Sequence, residues 1–88
     1  MNVYYLPYFI KQYRKLTKKN KPLKQSIKKT INQFLKFPQH PSLRLHKLKG
    51  KMIDDWSISV EANIRIIFTY ITDGILLVDI GSHDEVYY

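Results

Sequence analysis

The hydrophobic period changes once along this chain, and the change divides it into a helical first half and a β-rich second half. Leu6, Phe9, Ile10, Tyr13 and Leu16 recur at i, i+3, i+4, i+7 and i+10, on one face of a helix. Pro7 suits the first turn of that helix, where its missing N–H costs nothing. After the polar run Thr17 to Lys21, Pro22 opens a second helix, with Leu23, Ile27, Ile31, Phe34 and Leu35 on one face and lysines on the other. Phe37-Pro38 closes it, because the residue before a proline is disfavoured in the α region. About four polar residues between two helices predict an antiparallel hairpin. The tyrosine-rich stretch Asn2 to Leu6 ahead of them is β-prone.

Beyond the second helix the period drops to two. Leu43 and Leu45 alternate with Arg44 and His46, and Lys49-Gly50-Lys51 reads as a turn. Trp56, Ile58 and Val60 alternate with Ser57, Ser59 and Glu61, the pattern of a half-buried strand. After a turn near Ala62-Asn63, Ile64 to Ile71 is almost wholly apolar or β-branched, as in a central strand covered on both faces. Thr72-Asp73-Gly74 reads as a hairpin turn in which Gly74 supplies positive φ. Ile75 to Ile80 returns as the last strand and Gly81-Ser82-His83-Asp84 ends it. The expected fold class is α+β, in the order β-α-α-β-β-β. The helical hairpin packs on one face of a small antiparallel-rich sheet, and residues 1–88 form a single domain.

Charge follows the same division. Residues 1–51 hold 14 of the 15 Lys/Arg and no Asp/Glu, while residues 52–88 hold Arg65 and all 7 acids. The halves therefore carry +14 and −6, and one surface suits a polyanion. A face that only keeps a protein soluble mixes signs, which 51 residues without an acid do not. There are no cysteines, which excludes a disulfide framework and a thiolate metal site. No apolar run approaches the roughly 20 residues that span a bilayer. Pro7, Lys11 and Arg14 interrupt the opening too early for a signal peptide, so the cytoplasm is the expected location.

Arg65 is the odd residue of the central strand. A charge there is costly to bury unless it is paired. Either Asp79 on the neighbouring strand pairs with it, or the guanidinium stands on an open sheet face and meets a phosphate through its planar fork. Of the three histidines, His40 sits in a loop between Gln39 and Pro41 and reads as a bystander. His46 is surrounded by the cations of Arg44 to Lys49, and His83 lies beside Asp84 and Glu85. Two histidines in surroundings of opposite sign suit acid/base chemistry on a phosphodiester.

Four blocks, in order and with fitting spacing, resemble the RelE/ParE superfamily of bacterial toxins. They are Leu45-His46-Lys47-Leu48-Lys49-Gly50, Trp56-Ser57-Ile58-Ser59-Val60, Arg65-Ile66-Ile67-Phe68 and Asp79-Ile80-Gly81-Ser82-His83-Asp84-Glu85-Val86-Tyr87. The nearest likeness is to YafQ-like and RelE/StbE-type mRNA interferases of type II toxin–antitoxin systems, and it covers nearly the whole chain. The resemblance implies a metal-independent endoribonuclease without cofactor that enters the ribosomal A site and cleaves mRNA. It also implies a cognate acidic antitoxin, with DNA met only indirectly through the antitoxin complex.

Carried over residue by residue, His46 matches the histidine before the Leu-Lys-Gly turn of YafQ-like members. His83 matches the histidine of their Gly-Ser/Thr-His motif, Tyr87 the aromatic four residues later, and Arg65 the strand arginine of RelE-like members. The chain departs from the YafQ-like pattern at Ser59 and Asn63, where those members have a histidine and an aspartate, and at Asp79, where they have an arginine. The implied catalytic set is His83, His46, Arg65 and Tyr87. Lys47, Lys49, Lys51 and Arg44, with Lys24, Lys28 and Lys29 on the second helix, are the candidate contacts to RNA phosphates. A non-catalytic ParE-like gyrase inhibitor and a plain basic RNA-binding module are the alternatives from other classes.

Overall fold

The computed structural model describes residues 1–49 and 54–86, the side chain of Glu85 excepted. Strand β1 (Asn2–Tyr5) leads into helix α1 (Pro7–Thr17), which starts on Pro7 at its first position. Helix α2 (Lys21–Lys36) follows, with Asn20 as N-cap. The Asn20 side-chain oxygen accepts the Leu23 N–H at 3.1 Å and so satisfies one of the helix's orphan donors. Strands β2 (His46–Lys47), β3 (Asp55–Ser59), β4 (Ile64–Ile71) and β5 (Gly74–Ser82) complete the sheet, and a short helix α3 (His83–Val86) ends the described chain.

The five strands lie in the order β1-β5-β4-β3-β2. The last four form antiparallel neighbours, and only β1 runs parallel to its partner, β5. The layers are the expected ones, a helical hairpin on a small, mostly antiparallel sheet, but the sheet has five strands where the expected order has four, the short β2 being the addition. Leu23, Ile27 and Phe34 of α2 and Phe9 of α1 meet Ile58, Ile66, Phe68, Ile75, Leu77 and Ile80 of the sheet in one buried cluster. Phe34 and Phe68 meet edge to face with centroids 5.0 Å apart, a geometry worth about 0.5–1.5 kcal/mol beyond area burial.

Two local expectations are corrected. The Leu43/Leu45 alternation is not a strand. Pro41–Leu43 is a turn of 3-10 helix, and Arg44 takes the left-handed conformation at φ 48°. The strand starts only at His46, because the left-handed residue reverses the chain direction. Gly74, second, does not supply positive φ, since it already lies in β5. A glycine is required there because a Cβ would collide with the Asn2 carbonyl of β1.

Candidate active site

Strand alternation gives the sheet two faces of different chemistry. Ile66 and Phe68 of β4 point to the helices; Arg65 and Ile67 point away. On that outer face His46, Ser57, Ile67 and Asp79 form one row across β2, β3, β4 and β5, and Ser59, Arg65 and Gly81 form the next. Ile67 pairs with Asp79 but Phe68 with Leu77, so Val78 is an extra, bulged residue in β5. The bulge turns Val78 onto the outer face, where it joins Leu48, Ile67 and Val86 in a second, smaller core. Among the described residues, Val86 of α3 thus caps the middle of this face and leaves the Ser59–Arg65 end uncovered.

Arg65 is half-buried, and its Nη1 donates to Ser59 Oγ at 3.0 Å, to the Glu61 carbonyl at 2.9 Å and to the Ala62 carbonyl at 3.1 Å. The charge is therefore met by the oxygens of the β3–β4 turn and not by Asp79, whose Oδ1 accepts the Ile80 N–H at 2.7 Å. All of these Arg65 bonds use one corner of the guanidinium. The donors on Nη2 and Nε remain for a planar anion such as a phosphate oxygen pair. Ser59 carries no chemistry in the amino-acid pattern; only the register that sets it opposite Arg65 makes it an anchor.

His46 is exposed on the edge strand, with Nδ1 3.0 Å from the Arg44 carbonyl. A carbonyl oxygen only accepts, so this contact is one in which Nδ1 donates. The left-handed backbone of Arg44 turns that carbonyl toward the ring. His83 is the exposed first residue of α3. Its backbone N–H donates to the Asn63 carbonyl at 3.2 Å, and its Nδ1 lies 3.8 Å from Asp84 Oδ1. Three inter-strand steps of about 4.8 Å separate β2 from β5, and His83 lies past Asp79, the β5 member of the His46 row, so the two histidines are offset along the strands as well as across them and stand roughly 20 Å apart at the backbone. Arg65 lies between them.

The remaining sequence candidates scatter. Arg44 and Lys49 are exposed beside β2, but Lys47 opposes Trp56 and so projects from the other side of the sheet from His46. Lys24, Lys28 and Lys29 are exposed on α2, in the layer across the sheet from Arg65. Lys51 and Tyr87 lie outside the described residues. His40 is part of the 3-10 turn, its Nδ1 accepting the Ser42 N–H at 3.1 Å. Among the described residues, no cluster of three or more His, Asp or Glu side chains is arranged to hold a metal ion, and no helix is long and apolar enough to cross a membrane.

A family profile for the bacterial toxin of the type II toxin–antitoxin system, YafQ, matches residues 1–88. The chain belongs to the YafQ toxin family. No curated protein matches this YafQ-family chain in sequence. Solved structures do. A copper-bound mutant toxin from Helicobacter pylori superposes with a TM-score of 0.86 at 22% identity, covering 99% of each chain. YafQ from E. coli strain BL21(DE3) superposes at 0.81 with 18% identity, over 99% of this chain and 98% of that one. The toxin in the E. coli DinJ–YafQ complex superposes at 0.81 with 17% identity over the same shares. At these identities the likeness is one of fold: a RelE-like toxin fold.

Proposed function

We propose that this YafQ-family toxin is a metal-independent endoribonuclease that cleaves mRNA in the ribosomal A site and stops translation. The observation that carries the reading is an open end of the sheet with Arg65 set between His46 and His83, on a fold whose family generally cleaves mRNA. In the proposed step the ribose 2′-oxygen bonds to the adjacent phosphorus and the P–O5′ bond breaks. The products are a 2′,3′-cyclic phosphate and a 5′-hydroxyl. The Nε2 lone pair of His46 takes the 2′-proton, and His83 returns a proton to the leaving 5′-oxygen. Arg65, fixed through Nη1, offers its remaining donors to the non-bridging oxygens, whose charge grows in the transition state.

Tyr87 would stack on or orient a base, and Arg44, Lys49 and Lys51 would hold flanking phosphates. With backbones roughly 20 Å apart, the two histidines act on one phosphate only if both side chains reach inward to an RNA lying across β3 and β4 between them. The toxin's cellular partner is a cognate acidic antitoxin, and its place of action is the cytoplasm. The experiment is cleavage of a message on translating ribosomes in EDTA, with the new ends analysed. Cyclic-phosphate ends are expected; inhibition of gyrase supercoiling with the message intact would replace this reading by the ParE-like one.

A further inference from the structure

Two residues of the outer row, Ser57 and Ile67, are fully buried although the helical hairpin packs on the opposite face of the sheet. Leu48 and Val86 share that burial with Ile67, and Val78 packs against them. Each of the three buried members stands just after one of the candidate catalytic residues. Leu48 follows His46 by two positions, Ile67 follows Arg65 by two, and Val86 follows His83 by three. A step of two along extended chain returns to the same face, and a step of three in a helix returns to the same side. Leu48 keeps the extended pairing of β2, since its N–H donates to the Asp55 carbonyl at 2.9 Å.

We propose that Val86 and Leu48 are positioning residues for cleavage: their shared packing on Ile67 sets where His83 and His46 stand relative to Arg65. The inference rests on the cleavage reading above. Both histidines sit on elements too short to hold themselves. Helix α3 has four residues, and so short a helix does not persist without tertiary contacts. Its Val86, 1% exposed, is its only apolar side chain. Its other end is pinned by the His83 N–H on the Asn63 carbonyl. At the sheet edge β2 has two residues, both exposed, and Leu48 is the buried side chain that follows them. Ile67 lies in the long strand β4, held between β3 and β5. It is therefore the fixed member, and the two mobile elements take their positions from it. A misplacement of about 1 Å at a reacting group costs on the order of 10²-fold in rate, so loss of a few buried methyl contacts here should reach the chemistry.

The test uses the whole protein, with the ring signals of its three histidines followed by NMR and single-turnover cleavage measured on translating ribosomes. Val86→Ala should shift the rings of both His46 and His83 and leave His40, in the 3-10 turn, unmoved. The His83 amide should exchange faster with solvent. Cleavage at saturating protein should fall by about 10–100-fold, with half-saturation changed by less than about twofold, as for an interaction that matters only in the transition state. Val86→Ile, which keeps the branched contact, should restore most of the rate. Leu48→Ala should shift the His83 ring from the β2 side, and it keeps the test open if Val86→Ala fails to fold. The double variant should be little slower than the slower single one, because the two residues share one cluster. A wild-type cleavage rate in Val86→Ala overturns the proposal, as does a His83 shift that leaves His46 where it was. If the wild type leaves the message intact while the two rings still move together, the cleavage reading falls and the packing role stands.

Discussion

Replacing Arg65 with alanine separates what this residue does for the fold from what it does for chemistry. Its Nη1 feeds Ser59 Oγ and the carbonyls of Glu61 and Ala62. Sheltered hydrogen bonds from a charged donor are worth about 1.5–3 kcal/mol each. Here Glu61 and Ala62 are exposed and regain water when the side chain is cut back. The total loss should therefore be about 1.5–2.5 kcal/mol. With a urea m-value of about 1 kcal/mol/M for so small a domain, the unfolding midpoint falls by about 2 M with m unchanged. The melting temperature falls by about 10 °C. Ser59→Ala should cost about 0.5–1.5 kcal/mol, and a double-mutant cycle should show the two residues coupled. Adding Asp79→Ala to Arg65→Ala should restore nothing. A stability within 0.5 kcal/mol of wild type, or recovery on removing Asp79, would show that the turn is not held by Arg65.

Four further outcomes follow from other parts of the structure. His83→Ala should lower RNA cleavage by about 10²–10⁴-fold with the fold and partner binding intact. His40→Ala should leave cleavage unchanged and cost about 0.5–1 kcal/mol in a urea titration, through loss of its cap on Ser42. Gly74→Ala should cost more than about 2 kcal/mol, because the new Cβ must push β1 off β5; a near-neutral result would mean that β1 contributes little to stability. The Tyr4 hydroxyl, and after it the Asn2 amide, hold the Asp73 carboxyl below its usual 3.8. A depressed acid stabilises the fold above its unfolded pKa, and that stability is lost as pH falls through the folded value. The stability gap between wild type and Asp73→Asn should thus be constant above about pH 4 and close below it.

Both helices and the three long strands were legible because each has a sustained period and a Pro, Asn or Gly at its boundary. What the pattern hid was long-range. Leu43 and Leu45 read as alternation because nothing in their neighbours announces that Arg44 adopts a left-handed backbone. Gly74 read as a turn residue, although its need comes from Asn2 at the other end of the chain. The bulge at Val78 is invisible in a run of branched residues, yet it decides that Val78 faces Ile67. For the site, the chemistry-bearing residues Arg65, His46 and His83 could be named from residue type. Their placement could not: Arg65 was open to a partnership with Asp79, and only the β3–β4 register hands it to Ser59. Lys24 and Lys28 show the same limit, since charge alone does not tell which side of a sheet a helix covers.

The parallel pairing of β1 with β5 has a consequence for the order in which the molecule is assembled. Asn2 and Gly74 stand 72 positions apart in the chain, yet they are register partners. Such a pairing can close only after almost every other segment exists, and closing it carries the entropy of a very long loop. During synthesis the cationic helical hairpin is made first, with neither the strand it rests on nor Arg65 yet present. The molecule becomes competent when its earliest strand finds its latest one, so the slow phase of refolding should track β1–β5 docking and be the phase that Gly74→Ala retards.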